Sequence, residues 1–260
     1  MNHLRQHWFE EDIKRLNNLH SFYVPLSRWT ETEKEEIKNN LTYHSTKIEG
    51  LHLNYGDTLS YLKDKMIRQG ARAKDISDLK NHQAILDIIF STYDAVELTE
   101  GTIKQLHAEL MQDPSQWDVI DPLQAGAGEY KRENNYVYRS GGDHIYLDYQ
   151  LVPQAMESFV IKINDGIKNC NAHPIAIVAE THFDFLQIHP FTDGNGRVAR
   201  LLSTLLLLKM NFPPLVIETT EKEKYFTALI QSETQPRREA IIHFFVKKMI
   251  FNLSHRVSKK

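Results

Sequence analysis

The 260-residue sequence has a single cysteine, Cys170, which excludes an internal disulfide and indicates a reducing compartment. Its longest apolar run, 201–208, contains Ser203 and Thr204 and is far too short to cross a bilayer. The first residues lack the apolar stretch of a secretory signal. The net charge of −3 favours neither nucleic acid nor an anionic membrane as a partner. These absences predict a soluble cytoplasmic protein.

Common phosphate-binding and metal-binding patterns are also missing. The chain contains neither Gly-x-x-x-x-Gly-Lys-Ser/Thr nor Gly-x-Gly-x-x-Gly. It has 13 histidines, and His182 and His189 share a helical face, but no cysteine or paired acid completes a zinc site at the usual spacing. With 41% hydrophobic and 25% charged residues, the chain has the composition of an ordinary globular protein. Its length suits one large domain or a domain with an extension.

A polar loop between two apolar segments is the most informative part of the sequence. The apolar residues before it recur with helical spacing: Ile175, Val178, Ala179, Phe183 and Leu186. Pro190 disfavours the α conformation at His189, so this helix is expected to end near Ile188. Residues 198–208 are mostly apolar and predict a second, nearly buried helix. Residues 189–200, which join the two, read HPFTDGNGRVAR.

Each polar position of this loop has a chemical use. Residues 194–196 can present successive N–H groups to an anion at a helix N-terminus. Arg197 and Arg200 share a helical face, and two guanidiniums suit a polyphosphate. Asp193 can hold a magnesium ion that bridges phosphates, and His189 can accept a proton from a hydroxyl. Together these residues describe a nucleotidyl-transfer site.

The alternative is a structural helix–loop–helix turn with Asn195 as the N-cap. That interpretation explains any one residue of the loop as well as the functional interpretation does. It does not explain why glycines, acid, base and arginines all occur together. The complete set therefore favours the nucleotidyl-transfer site.

HPFTDGNGRVAR resembles the signature of the Fic (filamentation induced by cAMP) family, His-Pro-Phe-x-Asp-Gly-Asn-Gly-Arg-x-x-Arg, at every fixed position. The resemblance extends over roughly residues 30–250. It implies a mainly α, Fic-type helical bundle with a single β-hairpin flap and an N-terminal inhibitory helix. It also implies transfer of AMP from ATP, with Mg²⁺, to a hydroxyl side chain of a target protein.

The resemblance implies a role for each position of the signature. His189 is the expected base, Asp193 the expected Mg²⁺ ligand, and Phe191 the anchor of the loop in the core. Nucleotide binding is expected from Gly194, Asn195, Gly196, Arg197 and Arg200. Family members that phosphorylate carry a lysine at the position of Gly196, so kinase activity is the less favoured variant.

A helix is predicted to begin at Thr30, a good N-cap followed by several glutamates. Glu49 lies near the carbonyl end of this helix, where an acid is disfavoured. From the residues alone, a solvated acid and an acid with a distant partner both stay open. Residues 45–50, STKIEG, resemble the inhibitory motif Ser/Thr-x-x-x-Glu-Gly/Asn of many Fic proteins.

This second resemblance implies that Glu49 pairs with Arg200. The pair would occupy the guanidinium needed by the γ-phosphate of ATP and leave the α-phosphate misaligned. Ser45 lies one helical turn before Glu49 on the same face, so we expect it to steady the carboxylate.

Residues 134–148 change to a strand-like periodicity around a Ser-Gly-Gly-Asp turn at 140–143, which predicts a β-hairpin. In a helical protein this hairpin is either packing cover or functional. The resemblance implies a flap that aligns the target segment by main-chain pairing. The expected docking residues are Tyr136, Val137 and Tyr138.

Tyr225 and Phe226 fall on a short predicted helix, where core packing is the simplest interpretation. The resemblance makes Tyr225 a candidate for lining the adenine pocket. Some relatives carry an asparagine about eight positions later that contacts the base, whereas this chain has Glu233. The identity of the nucleotide donor therefore stays open.

We predict an N-terminal helical region over 1–70, with the inhibitory helix at about 30–49, a catalytic core over 71–253 and a tail over 254–260. The predicted function is an autoinhibited protein adenylyltransferase. Its partner is a protein with a Ser, Thr or Tyr hydroxyl, and homo-oligomerisation is compatible with it. One alternative is a hydrolase that uses Glu49 to orient water and release AMP from a modified protein. Another is a non-catalytic nucleotide sensor, which would have no need of His189.

Overall fold

The computed structural model describes residues 2–112, 126–138, 144–169, 172–235 and 237–257. These residues form ten α-helices and one two-stranded sheet, which confirms the expected mainly α class. None of the helices among them has the length and apolar content needed to span a bilayer. The helices are α1 (Asn2–His20), α2 (Glu31–Ile48), α3 (Tyr55–Asp64), α4 (Ala73–Thr92), α5 (Glu100–Leu110), α6 (Val152–Asn169), α7 (Pro174–Ile188), α8 (Asn195–Lys209), α9 (Lys222–Thr234) and α10 (Glu239–Val257).

Helices α7 and α8 form the centre of the bundle. Helix α8 is buried on nearly all faces, as expected for a helix whose sequence is apolar all round. Helix α7 packs against α8, α6 and α10, while α4 and α5 cover other faces of α8. The loop that joins α7 to α8 is therefore fixed at both ends by helices that pack against several others.

Helix α2 begins as the sequence predicts. The Thr30 hydroxyl accepts the Glu33 N–H at 3.2 Å, and the Glu33 carboxylate accepts the Thr30 N–H at 2.7 Å. This reciprocal capping satisfies two backbone donors that the helix itself leaves unpaired. The helix packs against α4 and α8, so its last turn lies beside the loop between α7 and α8.

The two strands, β1 (Tyr136–Val137) and β2 (His144–Ile145), pair antiparallel, with Tyr136 opposite Ile145 and Val137 opposite His144. The expected hairpin is thus present as a short ladder. The predicted turn at 140–143 and Cys170 lie outside the described residues. The division of the chain at residues 70 and 253 stays a prediction.

Candidate active site

The loop between α7 and α8 is held by an asparagine. Asn195 Oδ1 accepts the Phe191 N–H at 3.0 Å, and Asn195 Nδ2 donates to the Phe191 carbonyl at 2.8 Å. The N-cap of α8 is Gly194, with φ of 78°, so the interpretation of Asn195 as the N-cap is wrong. A positive φ is easily adopted by glycine, and this frees the asparagine side chain to close the loop.

Phe191 is fully buried, as expected for an anchor, and stacks on His107 with ring centroids 3.8 Å apart. His107 Nδ1 accepts the Gly128 N–H at 2.8 Å, and Nε2 lies 3.1 Å from the Asp193 carbonyl. These contacts assign the proton to Nε2. Burial lowers the pKa of His107 to about 4, so the imidazole stays neutral. His107 braces the loop, and nothing in its local sequence pointed to it.

His189 ends α7 with φ of 50° and ψ of 60°, in the left-handed region. Helix α7 does stop at Ile188, but the residue before Pro190 is not extended as such residues usually are. The imidazole stacks on Tyr146 with ring centroids 3.7 Å apart and an interplanar angle of 16°. Burial, followed by the charge of Lys131, lowers the pKa of His189 to about 3, so the ring is a neutral proton acceptor at neutral pH.

Asp193 leaves 58% of its side chain exposed. Its Oδ1 accepts the Gly194 N–H at 2.6 Å, and its Oδ2 lies 3.4 Å from Arg197 Nη2. Burial opposes ionisation, but Arg197 and this N–H outweigh it and hold the pKa of Asp193 below its usual range. The carboxylate is therefore charged, oriented by the loop and still accessible to a cation.

Arg200 is almost fully buried, and its guanidinium contacts α2. Its Nη2 donates to Glu49 Oε1 at 2.6 Å and to the Ser45 carbonyl at 3.0 Å, and its Nε donates to Ser45 Oγ at 2.9 Å. Ser45 was expected to steady the carboxylate of Glu49. It instead holds the arginine, because the guanidinium lies between the two residues.

Arg197 does not share this arrangement. Its Nη1 forms a buried ion pair with Asp78 of α4, and its Nη2 also lies 3.4 Å from Met111 Sδ. Burial raises the pKa of Asp78, with Arg197 opposing the rise. The two arginines of the signature thus point to different partners, Arg197 into the core and Arg200 toward α2.

Gly196 lies directly beneath the Glu49 carboxylate. A Cβ at this position would overlap Glu49 Oε1 and approach Arg200 Nη1 to 3.2 Å. The absence of a side chain is therefore what allows the carboxylate to reach the backbone at the start of α8.

An open cleft contains most of these groups. Its lining residues are Glu49, Asn135, Tyr136, Val137, Tyr146, His189, Thr192, Asp193, Gly194, Asn195 and Gly196. His189, Asp193, residues 194–196 and Glu49 thus face one space. Asn135 and Tyr146 are additions that sequence reasoning missed.

Two strand residues line this cleft beside the imidazole. Tyr136 and Val137 of β1 are exposed, and Tyr138 next to them is 75% exposed. Rings this exposed contribute little to the core, so the interpretation of the hairpin as packing cover explains them poorly.

Tyr225 lies away from the cleft lining. It is 1% exposed, and its hydroxyl lies 2.7 Å from His182 Nε2. Burial raises the pKa of Tyr225 to about 12; Arg200 opposes this rise and Glu49 adds to it, so Tyr225 lies close to that ion pair. The role of Tyr225 in lining an adenine pocket stays a prediction. Glu233 faces the hairpin, 3.7 Å from His144 Nδ1 and 3.4 Å from Gln187 Nε2.

Comparison with known proteins points to one family. Residues 97–207 match the Fic/DOC family. Two curated proteins similar to this chain are Protein adenylyltransferase Fic of Culex quinquefasciatus, 29% identical over 237 residues, and that of Drosophila erecta, 29% identical over 225 residues. The alignments include 87% and 83% of this chain but 43% and 42% of the relatives, so the chain spans less than half of their length.

A solved structure shows the same fold over nearly the whole chain. It is a Fic domain containing signaling protein from Bacteroides thetaiotaomicron VPI-5482, 26% identical, with a TM-score of 0.81. The superposition includes 94% of each chain. The likeness therefore extends well beyond residues 97–207.

Proposed function

We propose that the protein transfers AMP from MgATP to a Ser, Thr or Tyr hydroxyl of a target protein, on the premise that residues 97–207 match the Fic/DOC family. The observation that carries the proposal is the shared cleft, in which the neutral imidazole of His189 faces the glycine-rich start of α8. A base beside an anion-binding backbone is what hydroxyl attack on a phosphate requires.

In the proposed reaction, His189 accepts the proton of the target hydroxyl on a ring nitrogen. The hydroxyl oxygen attacks the α-phosphorus, and the bond from the α-phosphorus to the oxygen bridging it to the β-phosphate breaks. Pyrophosphate leaves, and AMP stays bonded to the target. The N–H groups of residues 194–196 bind phosphate oxygens at the N-terminus of α8, where the helix dipole favours negative charge.

Asp193 is suited to hold the magnesium ion. It is charged and accessible, and its second oxygen has only a long contact with Arg197. Magnesium usually takes one or two carboxylates together with substrate phosphates. The described residues contain no cluster of three or more metal-binding side chains, and a single carboxylate matches that pattern. When bound, the ion would neutralise charge on the phosphates.

The structure further supports autoinhibition. Glu49 occupies Arg200, and its carboxylate covers the backbone of Gly196. A γ-phosphate that needed this guanidinium would have to displace the carboxylate, because both are anions competing for one cation. Arg197 cannot substitute without giving up its buried ion pair with Asp78. We therefore assign the inhibitory role to Glu49, with Ser45 holding Arg200 in the paired orientation.

The flap residues are assigned to target binding. Tyr136, Val137 and Tyr138 are exposed at the edge of a two-stranded ladder, where an extended segment can add by main-chain hydrogen bonds. A hydroxyl carried by such a segment would lie near His189, because Tyr136 and Val137 line the same cleft.

Labelling with α-³²P-ATP tests the activity and its inhibition together. One charge-assisted pair contributes about 1.5–3 kcal/mol, so Glu49→Gly is expected to raise self- or target-labelling about 10–100-fold. His189→Ala in the same background is expected to abolish the label. Label that persists in the His189 variant would disprove the assignment of the base.

The position of Glu49 also favours a second candidate reaction. Its carboxylate lines the same cleft as His189, so it could orient a water that releases AMP from a modified protein. The test is AMP release from a target labelled beforehand by the Glu49→Gly protein. Wild-type protein is expected to release AMP faster than Glu49→Gly, and equal rates would exclude hydrolysis by Glu49.

A further inference from the structure

Lys131 is a lysine with only 3% of its surface exposed, in the loop that precedes β1. A buried ammonium is costly unless other groups compensate it. Its Nζ donates to Asn135 Oδ1 at 2.8 Å. The negative charge of Asp148 favours the charged form of the ammonium. Burial lowers the pKa of Lys131 to about 8, with Asp148 opposing, so the group is still mostly charged at neutral pH.

The segment from Lys131 to Asn135 holds the two peptide groups that follow His189. The Lys131 N–H donates to the Pro190 carbonyl at 2.8 Å. Asn135 Nδ2 donates to the Phe191 carbonyl at 3.3 Å. The backbone beyond the base is therefore tied to a segment more than fifty residues earlier in the chain.

A third link reaches the imidazole itself. The Asn135 carbonyl accepts the Tyr146 N–H at 3.2 Å, and the Tyr146 ring stacks on His189. Asn135 is therefore bonded to Lys131, to the loop after His189 and to the residue that covers the ring. Removing the Lys131 ammonium would take away the group that fixes the Asn135 side chain.

The charges around His189 include Lys131. Lys131 and His144 disfavour the imidazolium, whereas Asp193 and the Leu186 carbonyl favour it. Lys131 is the largest of these charge effects. The contacts through Asn135 and Tyr146 thus keep the His189 ring aligned, and the charge of Lys131 keeps it unprotonated.

We propose that Lys131 is a positioning residue for His189, which it reaches through Asn135 and Tyr146 and through the positive charge that it holds beside the imidazole. The inference rests on the proposed function, in which His189 is the base. Lys131 does not line the cleft and touches no reacting atom, so it acts only through His189.

Imidazole NMR of the full chain tests the link without requiring catalysis. The His189 resonances, assigned by their loss in His189→Gln, are expected to show an inflection near pH 8 as Lys131 titrates. Lys131→Gln keeps a donor for Asn135 but removes the charge, and Lys131→Arg stays charged throughout. Both are expected to abolish the inflection. Arg132→Met, which removes an exposed charge next in sequence, is expected to retain it.

An inflection that is missing in the wild type, or that survives in either Lys131 variant, would overturn the proposal. Because Lys131→Arg keeps the buried charge, it supplies the result if Lys131→Gln fails to fold. A signal that all variants share, including Arg132→Met, would also count against Lys131.

Kinetics in the Glu49→Gly background provide the second measurement. Misplacing a catalytic group is expected to lower kcat of Lys131→Gln about tenfold, while KM for ATP changes less than about twofold. Lys131→Arg is expected to recover most of the loss, and an equal loss in both variants would contradict positioning by charge. Absence of labelling in the Glu49→Gly parent would count against the proposed function, and the NMR result would be unaffected.

Discussion

Arg197 and Arg200 are three residues apart on α8, yet their guanidiniums have different partners. Arg197 is paired with Asp78 inside the bundle, whereas Arg200 contacts Ser45 and Glu49 at the edge of the cleft. Spacing placed both on one helical face, but it could not show that Arg197 would pair with Asp78 and Arg200 with Glu49. A nucleotide could replace Glu49 as the partner of Arg200, because the released carboxylate is already partly exposed to solvent. Replacing Asp78 as the partner of Arg197 would break an ion pair inside the core.

Breaking the Arg197 pair is expected to affect stability strongly. Arg197→Met leaves Asp78 buried without its cation, so the free energy of unfolding should fall by about 3–5 kcal/mol in urea titrations. The double variant Arg197→Met with Asp78→Leu should recover much of this loss. Arg68→Met, which breaks an exposed pair with Asp57, should cost less than about 1 kcal/mol. Similar losses for the two single variants would contradict a buried structural role.

At the scale of single residues, the sequence identified the groups that belong to a contiguous motif. His189, Asp193 and Gly196 lie within twelve residues, and each has a chemical signature of its own. Lys131 and His107 could not be found in this way, because they lie in other segments and act through tertiary contacts. A lysine or histidine with no periodic context looks like any solvated residue until its burial is known.

Helix α2 is attached to the rest of the protein at its last turn by more than the Glu49 pair. Lys222 Nζ at the start of α9 donates to the Ile48 carbonyl at 2.7 Å. The Thr219 N–H donates to His44 Nδ1 at 3.2 Å. Burial lowers the pKa of His44, which suits a ring nitrogen that accepts a hydrogen bond. The start of α9 therefore restrains the helix that is capped by Glu49.

Removing the lysine contact is expected to loosen α2. A cation at a helix C-terminus contributes about 0.3–1 kcal/mol, so Lys222→Met should raise labelling of the wild-type background by up to about fivefold. Lys224→Met removes an exposed charge of the same helix and should leave labelling unchanged. If Lys222→Met labels no faster than Lys224→Met, the contact does not restrain the helix.

The helices themselves were largely predictable. The end of α7 at Ile188 and the start of α2 after Thr30 follow from a proline and a capping box, which are local signals. The left-handed conformation of His189 was not predictable, because a non-glycine residue adopts it only where tertiary contacts outweigh a cost of about 1–2 kcal/mol. The contact of Tyr225 with His182 was not predictable for the same reason, since it depends on how α9 packs.

At the scale of the whole molecule, the protein contains several histidines that folding keeps neutral. Burial lowers the pKa to about 3 for His82 and His182, as it does for His189, and to about 4 for His107. In the unfolded chain these groups take up protons below their ordinary value of 6.5. Because the unfolded state then binds more protons, acid favours unfolding.

The stability of the protein should therefore fall as the pH drops below about 6.5. Each such histidine should contribute up to about 1.4 kcal/mol per pH unit to that fall. His82→Gln cannot take up a proton and should reduce the slope by that amount. Urea titrations between pH 5 and 8 measure it, and an unfolding free energy that is flat over this range would contradict the neutral state of the buried rings.

The contact between the Glu49 carboxylate and the backbone of Gly196 has a consequence for how the protein would report on its surroundings. When two groups compete for the same site, each lowers the affinity of the site for the other by the same factor. Under the proposed function, the free energy by which Glu49 disfavours ATP equals that by which ATP releases the end of α2. Amide hydrogen exchange at residues 45–49 would then rise with ATP concentration. The conformation of this turn would therefore depend on the ATP concentration even when no target is present.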